Sequence, residues 1–113
     1  DGVKRGDLVT IAVNGDYGEP RPVLVVQADA FSDPPAMTVL RLTSIVQNWP
    51  LFRITVDQHD ERLRSLSQVM VDWAISLPRE KIGQGFGHLE AASLRQVDQA
   101  LSVFLGLSGD RLP

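Results

Sequence analysis

Two periodicities divide the chain. Through the first three quarters, apolar residues come in short runs rich in Val and Ile, at 8–13, 23–27, 38–42, 52–56, 68–71 and 73–77, with a further Ile82-Gly83 step. β-Branched side chains fit the pleated, half-buried surface of a strand, so these runs predict strands. Segments of Gly, Pro and polar residues punctuate them: Gly15-Asp16-Tyr17-Gly18-Glu19-Pro20-Arg21-Pro22, then 29–36 with Pro34-Pro35, then Pro78-Arg79-Glu80-Lys81. The charged stretch 57–64 reads as an exposed loop.

From Glu90 onward the repeat lengthens. Leu94, Val97, Leu101 and Phe104 recur at three- and four-residue steps, with Arg95, Gln96, Asp98 and Gln99 facing away. This predicts one amphipathic helix over about 90–106, stopped by Gly106 in the left-handed conformation, with a loose tail at 108–113. The fold class is then mainly β with one helix: five to seven short antiparallel strands in a small, strongly curved sheet or barrel, its open face covered by the C-terminal helix.

At 113 residues the chain holds one domain, 1–113, with a single shared core. The absence of Cys removes disulfides and thiolate metal sites, and His59 and His88 lack ligand-spaced partners, so neither metal nor other cofactor is expected. No run reaches the roughly 20 apolar residues of a membrane helix and no secretion leader is visible, which predicts a soluble, cytoplasmic protein with no membrane partner. The net charge of -3 argues against broad electrostatic binding of nucleic acid. Any such contact must be a local groove, or one built when a dimer gathers the nine arginines.

The segment before the second strand carries the candidate chemistry. Arg21 offers a permanently charged fork suited to phosphate, and Asp16 and Glu19 beside it can exchange protons.

The blocks Lys4-Arg5-Gly6-Asp7-Leu8-Val9, Arg21-Pro22-Val23-Leu24-Val25-Val26-Gln27, Leu42-Thr43-Ser44, Ser67-Gln68-Val69-Met70-Val71-Asp72, Pro78-Arg79-Glu80-Lys81-Ile82-Gly83, Phe86-Gly87-His88-Leu89 and Ala100-Leu101-Ser102-Val103-Phe104-Leu105-Gly106-Leu107 together resemble the MazF/PemK toxin family over residues 3–107. The resemblance implies an SH3-like barrel with a C-terminal helix, paired as a homodimer. It implies a bacterial toxin that cuts single-stranded messenger RNA at a short recognition sequence without metal. A cognate antitoxin would neutralise it through a disordered acidic segment that folds on binding, and DNA would be reached only through the antitoxin complex. Arg21 and Thr43 occupy the family's two catalytic positions. The implied reaction is attack by the ribose 2′-hydroxyl on the adjacent phosphate, leaving cyclic-phosphate and 5′-hydroxyl ends.

Within that reaction Arg21 suits the developing phosphorane charge and Thr43 adds a hydroxyl hydrogen bond, while Asp16 or Glu19 is the more natural base because a guanidinium stays protonated. Asp16-Tyr17-Gly18 replaces the Glu-Gln-Gly common in the family, and Met70 stands where some members carry Arg. Candidate RNA contacts are Tyr17 and Trp73 by stacking, Gln68 by base-edge hydrogen bonds, and Ser44, Asp72, Arg79 and Lys81. Asp72 is equally suited to an internal pair with an arginine, Arg79 and Lys81 to a solvated turn, and Trp49 to loop packing. Two other readings remain: a gyrase poison of the related CcdB type, whose Trp-Gly-Ile ending is missing here, and an inactive antitoxin-binding relative.

Overall fold

The computed structural model describes residues 2–12, 20–56, 66–107 and 109. Along the chain come β1 (Asp7–Ala12), β2 (Pro20–Val25), β3 (Ala36–Thr43), β4 (Arg53–Val56), β5 (Ser67–Pro78), a 3-10 turn at Arg79–Lys81, β6 (Ile82–His88) and α1 (Ala91–Phe104). The six strands form one antiparallel sheet in the order β4-β5-β3-β2-β1-β6.

Period-two alternation sends successive residues to opposite faces. In β2, Leu24 joins a cluster with Leu8, Leu40, Leu42, Val69 and Val71, while Val23 and Val25 join Val9, Ile11, Met37 and Val39 on the other side. Helix α1 covers the first cluster with Val97 and Ala100. No helix reaches the second, yet its residues are as well buried, with Val3, Ile75, Leu77 and Ile82 packed over them. With one α-helix among the described residues, burying both sheet faces requires the sheet to curl over itself, which is the small-barrel architecture. Each fully buried Val or Leu contributes roughly 1.5–3 kcal/mol relative to exposure.

Three details differ from the pattern. The runs 68–71 and 73–77 are one strand, β5, and the interruption at Asp72 is a large bulge. Arg41 pairs with Met70 while its neighbour Leu40 pairs with Ala74, so residues 71–73 are inserted opposite a single step of β3. The Gly-rich segment through Gly87 is strand β6, with little propensity of its own. At Gly83 a Cβ would stand 2.5 Å from Thr10 Oγ1, so the missing side chain is what lets β6 lie against β1. Finally, Phe104 is 48% exposed rather than in the core. Its ring centroid lies 5.9 Å from that of Phe52, where the last turn of α1 reaches the loop ahead of β4.

Gly106 ends the helix as expected, at φ 75°, with Leu107 N–H donating to the Ser102 carbonyl at 2.8 Å. Asp98, on the outward face, accepts from Arg5 Nη2 at 2.6 Å, and Arg5 Nε donates to the Val26 carbonyl, tying α1 to the sheet. Among the described residues no helix is long and apolar enough to cross a membrane.

Candidate active site

On the face opposite α1, two apolar stripes end in polar residues. Along β3 the stripe runs Met37, Val39, Arg41, Thr43, and along β2 it runs Val25, Val23, Arg21. Val23 pairs with Arg41. Two residues further toward the same end stand Arg21 and Thr43, which strand alternation puts on the face of Val23 and Arg41. The β2–β3 ladder goes no further than Val23, in keeping with the missing N–H of Pro22. Arg21 is exposed and opposes Ile11 of β1, which anchors its backbone while its side chain stays at the rim.

The Thr43 hydroxyl oxygen accepts the Ile45 N–H at 3.1 Å. That bond uses a lone pair, so the hydroxyl keeps its proton as a donor. The half-buried Thr43 is thereby oriented by its own turn. Ser44 is exposed beside it.

Two side-chain rows run across the sheet from here. Thr43 pairs with Gln68, which pairs with Thr55, and one row back Arg41 pairs with Met70, which pairs with Arg53. Gln68 is 2% exposed. Its Nε2 donates to the Gln47 carbonyl at 2.9 Å and to Thr55 Oγ1 at 3.2 Å, and its Oε1 accepts the Gln47 N–H at 3.0 Å. The structure therefore differs from the expectation of an amide that reads RNA bases: this amide holds the β3–β4 loop. Burial explains the difference, because an unpartnered amide there would be costly.

Asp72 adopts the internal alternative. Its carboxylate takes both Nε and Nη2 of Arg53, at 2.7 and 3.0 Å, in the bidentate form that matches a guanidinium fork. The hydrogen bond from Arg53 holds the Asp72 carboxyl below the ordinary aspartate range despite its desolvation, and the bond from Asp72 raises Arg53 above the usual arginine range. The same guanidinium lies 4.9 Å from the Trp49 ring centre, and Trp49 stacks on Phe52 at 5.6 Å, which is the loop packing expected of it.

Trp73, just past this carboxylate, is 47% exposed, with the Arg41 guanidinium 5.5 Å from its ring centre. Arg79 is turned to a neighbouring loop, donating from Nε to the Pro34 carbonyl at 2.5 Å and from Nη2 to the Phe31 carbonyl at 3.2 Å. Lys81 is exposed. Asp16, Tyr17 and Glu19, as well as His59, lie outside the described residues. His88 places Nδ1 2.9 Å from Asp7 Oδ1. Among the described residues no cluster of three His, Cys, Asp or Glu side chains suits a metal ion.

Strand alternation thus puts Arg21, Arg41 and Thr43 toward one end of one face with Trp73 beside Arg41, while Gln68, the cross-strand neighbour of Thr43, and Asp72 and Arg79 are engaged in structural hydrogen bonds. Arg41 escaped the sequence reading. The signal was present: it stands two residues before Thr43 in a strand and so shares its face. A cleft of about 410 Å³ at the junction of β4 and α1, lined by Leu51, Arg53, Thr55, Gln96 and Val103 among others, lies apart from these residues.

Comparison with known proteins matches the sequence and the fold. The sequence profile of the PemK-like, MazF-like toxins of type II toxin-antitoxin systems matches residues 4–105. A Mycolicibacterium smegmatis protein described as probable endoribonuclease MazF is 36% identical over 109 residues, covering 95% of this chain and all of that protein. In structure, the chain is similar to a mycobacterial endoribonuclease solved with its cognate antitoxin, at a TM-score of 0.81 and 20% identity over 99% of this chain and 100% of that one. It is also similar to the MazF of a Deinococcus radiodurans MazE-MazF complex, at a TM-score of 0.76 and 26% identity over 94% and 99% of the two chains. The barrel, its terminal helix and the match along nearly the whole sequence lead to one conclusion: this chain belongs to the PemK-like, MazF-like toxin family.

Proposed function

We propose that the protein is the endoribonuclease toxin of a bacterial toxin-antitoxin pair, cutting single-stranded messenger RNA at a short recognition sequence. The observation that carries the reading is the placing of Arg21 and Thr43 two residues beyond the Val23–Arg41 pair, a cation and an oriented hydroxyl at the same end of adjacent strands.

The chemistry follows from what those groups offer. The nucleophile is the substrate's own 2′-hydroxyl, so no metal-bound water is needed. As it attacks the adjacent phosphorus, Arg21 neutralises charge building on the equatorial oxygens and the Thr43 hydroxyl donates to the same group. Preorganised donors of this kind contribute about 3–4 kcal/mol each to transition-state stabilisation. Asp16 or Glu19 takes the 2′-hydroxyl proton, the P–O2′ bond forms as the P–O5′ bond breaks, and the departing 5′-oxygen takes a proton from water, giving cyclic-phosphate and 5′-hydroxyl ends. Tyr17 and Trp73 stack bases, while Ser44 and Lys81 flank the path.

The active unit is a cytoplasmic homodimer, inhibited by a cognate antitoxin whose acidic segment orders on binding. This assignment is supported by the antitoxin complexes in which the mycobacterial and Deinococcus relatives were solved.

The test is incubation with mixed single-stranded RNA in chelator, with the ends of the products sequenced. Discrete cuts by the parent, lost in Arg21→Ala at unchanged fold, are the expected result. Intact RNA with both proteins would turn the assignment toward an inactive antitoxin-binding relative, and gyrase-dependent DNA breakage would turn it toward a CcdB-like poison.

A further inference from the structure

Arg41 sits where an apolar stripe meets the rim. Val39 precedes it on the same face and Val23 opposes it, and it is half-buried. A partly desolvated cation normally has a carboxylate beside it. Among the described residues none lies within ion-pair distance, and the guanidinium's interaction there is the Trp73 indole at 5.5 Å. Stacking on a ring uses the face of the cation and not its rim of N–H donors. The cation is thus positioned by an aromatic surface without being neutralised by it.

Its position relative to the reacting groups is also set. Arg41 and Thr43 are alternate residues of one strand, roughly 7 Å apart along it. That spacing separates two anchor points on one extended polyanion. Trp73 next to Arg41 is nearly half exposed, a flat apolar surface beside a cation, the combination that binds a nucleotide by base and phosphate together.

We propose that Arg41 is a phosphate-binding residue for the RNA substrate, gripping the phosphate next to the scissile one while Trp73 stacks the attached base. The inference rests on the ribonuclease reading, and it adds a second cationic anchor with a different task. Arg21 acts where charge develops, whereas Arg41 acts equally in the ground state and the transition state and so tightens binding without speeding the chemical step.

The probe is a single-stranded RNA containing the parent's mapped cut site with a 2′-deoxy nucleotide at the scissile step, which binds and cannot be cut. Arg41→Ala is expected to weaken its binding about tenfold, as for one charge-assisted phosphate contact. The slope of log affinity against log salt should become shallower by about 0.7, the share of one phosphate on a single strand. On cleavable RNA, KM should rise with kcat kept within about threefold. Arg41→Lys should keep the parent's salt slope.

Unchanged affinity and slope in Arg41→Ala, measured with a parent that binds and cuts RNA, would overturn the inference while leaving the ribonuclease reading intact. It would equally be overturned by a loss that comes with a lowered melting temperature and does not return with lysine. A parent that neither binds nor cuts RNA would remove the ribonuclease reading, and this inference with it.

Discussion

Arg53 and Arg41 lie on either side of Met70 in register, and each guanidinium sits over an indole, 4.9 Å from Trp49 for the first and 5.5 Å from Trp73 for the second. Asp72 grips Arg53 through two hydrogen bonds, whereas no carboxylate among the described residues lies within ion-pair distance of Arg41. The first set is a bolt that fixes the β3–β4 loop, its charge cancelled and its tryptophan packed on Phe52. The second has no such carboxylate among the described residues and stands toward the end of the face that also carries Arg21 and Thr43. One pair of residue types therefore occurs in two electrostatic settings, and the neighbouring carboxylate makes the difference. Sequence adjacency is a poor guide here, because Asp72 and Trp73 are neighbours that belong to different sets.

The comparison can be broken from the reactive end first. Arg21→Ala should lower the cleavage rate by roughly 10²–10³-fold, about 3–4 kcal/mol of lost transition-state stabilisation, while the melting temperature stays close to the parent's. Initial rates on a defined single-stranded RNA, beside a thermal melt, check both halves. A large drop in melting temperature would make Arg21 a structural residue and move it to the side of Arg53.

Asp72→Ala strands the Arg53 charge in a pocket where the side chain is only 8% exposed, and should reduce stability by about 2–3 kcal/mol, toward the lower end for buried pairs because Asp72 keeps some contact with water. Arg41→Ala should change stability by about 1 kcal/mol, the scale of a cation–π contact to a ring that is nearly half exposed. Urea unfolding of the two variants tests the contrast directly, and equal losses would erase it.

Next in size are the tryptophans. Trp73→Ala should weaken binding of non-cleavable RNA by about 1–2 kcal/mol with little effect on unfolding, and Trp49→Ala should do the reverse. Fluorescence anisotropy of labelled RNA, read with the urea midpoints, separates the two.

The smallest effect is on acid stability. The folded-state pKa of Asp72 is depressed, so the pair's contribution is fully present above the ordinary aspartate range near pH 4 and is lost as pH falls through the lower folded-state value. Asp72→Asn should therefore lack that share of the acid decline and run more nearly parallel to neutral-pH behaviour below about pH 4. Identical acid limbs for the two proteins would show that the pair is not the titrating element.

Strand and helix identity were legible wherever packing and propensity agree, as in 8–13 or the Leu94, Val97, Leu101 stripe. They were hidden where one neighbour overrides propensity: β6 is a strand because Gly83 can approach Thr10, and that reason is absent from its own residues. The positions of Arg21 and Thr43 followed from the family resemblance, and their mutual register required the sheet. Gln68 looked like a reader because a glutamine in a strand has free donors until the structure supplies the Gln47 backbone opposite it. Arg41 was overlooked for a related reason: alternate residues share a face, but only pairing reveals that Arg21 comes to the same place.

The irregularity in β5 has a mechanical consequence. Residues 68–70 pair with both β3 and β4, residues 74–78 pair with β3, and the inserted 71–73 are held by contacts of their own, the Val71 N–H on the Phe52 carbonyl and the Asp72 carboxylate on Arg53. Gaining one residue just past Asp72 would leave Gln68 opposite Thr43 and Asp72 on Arg53 yet turn the indole at 73 to the reverse side, since strand orientation alternates with every step. The scaffold can in this way exchange the aromatic surface beside Arg41 while the Thr43 hydroxyl stays where it is.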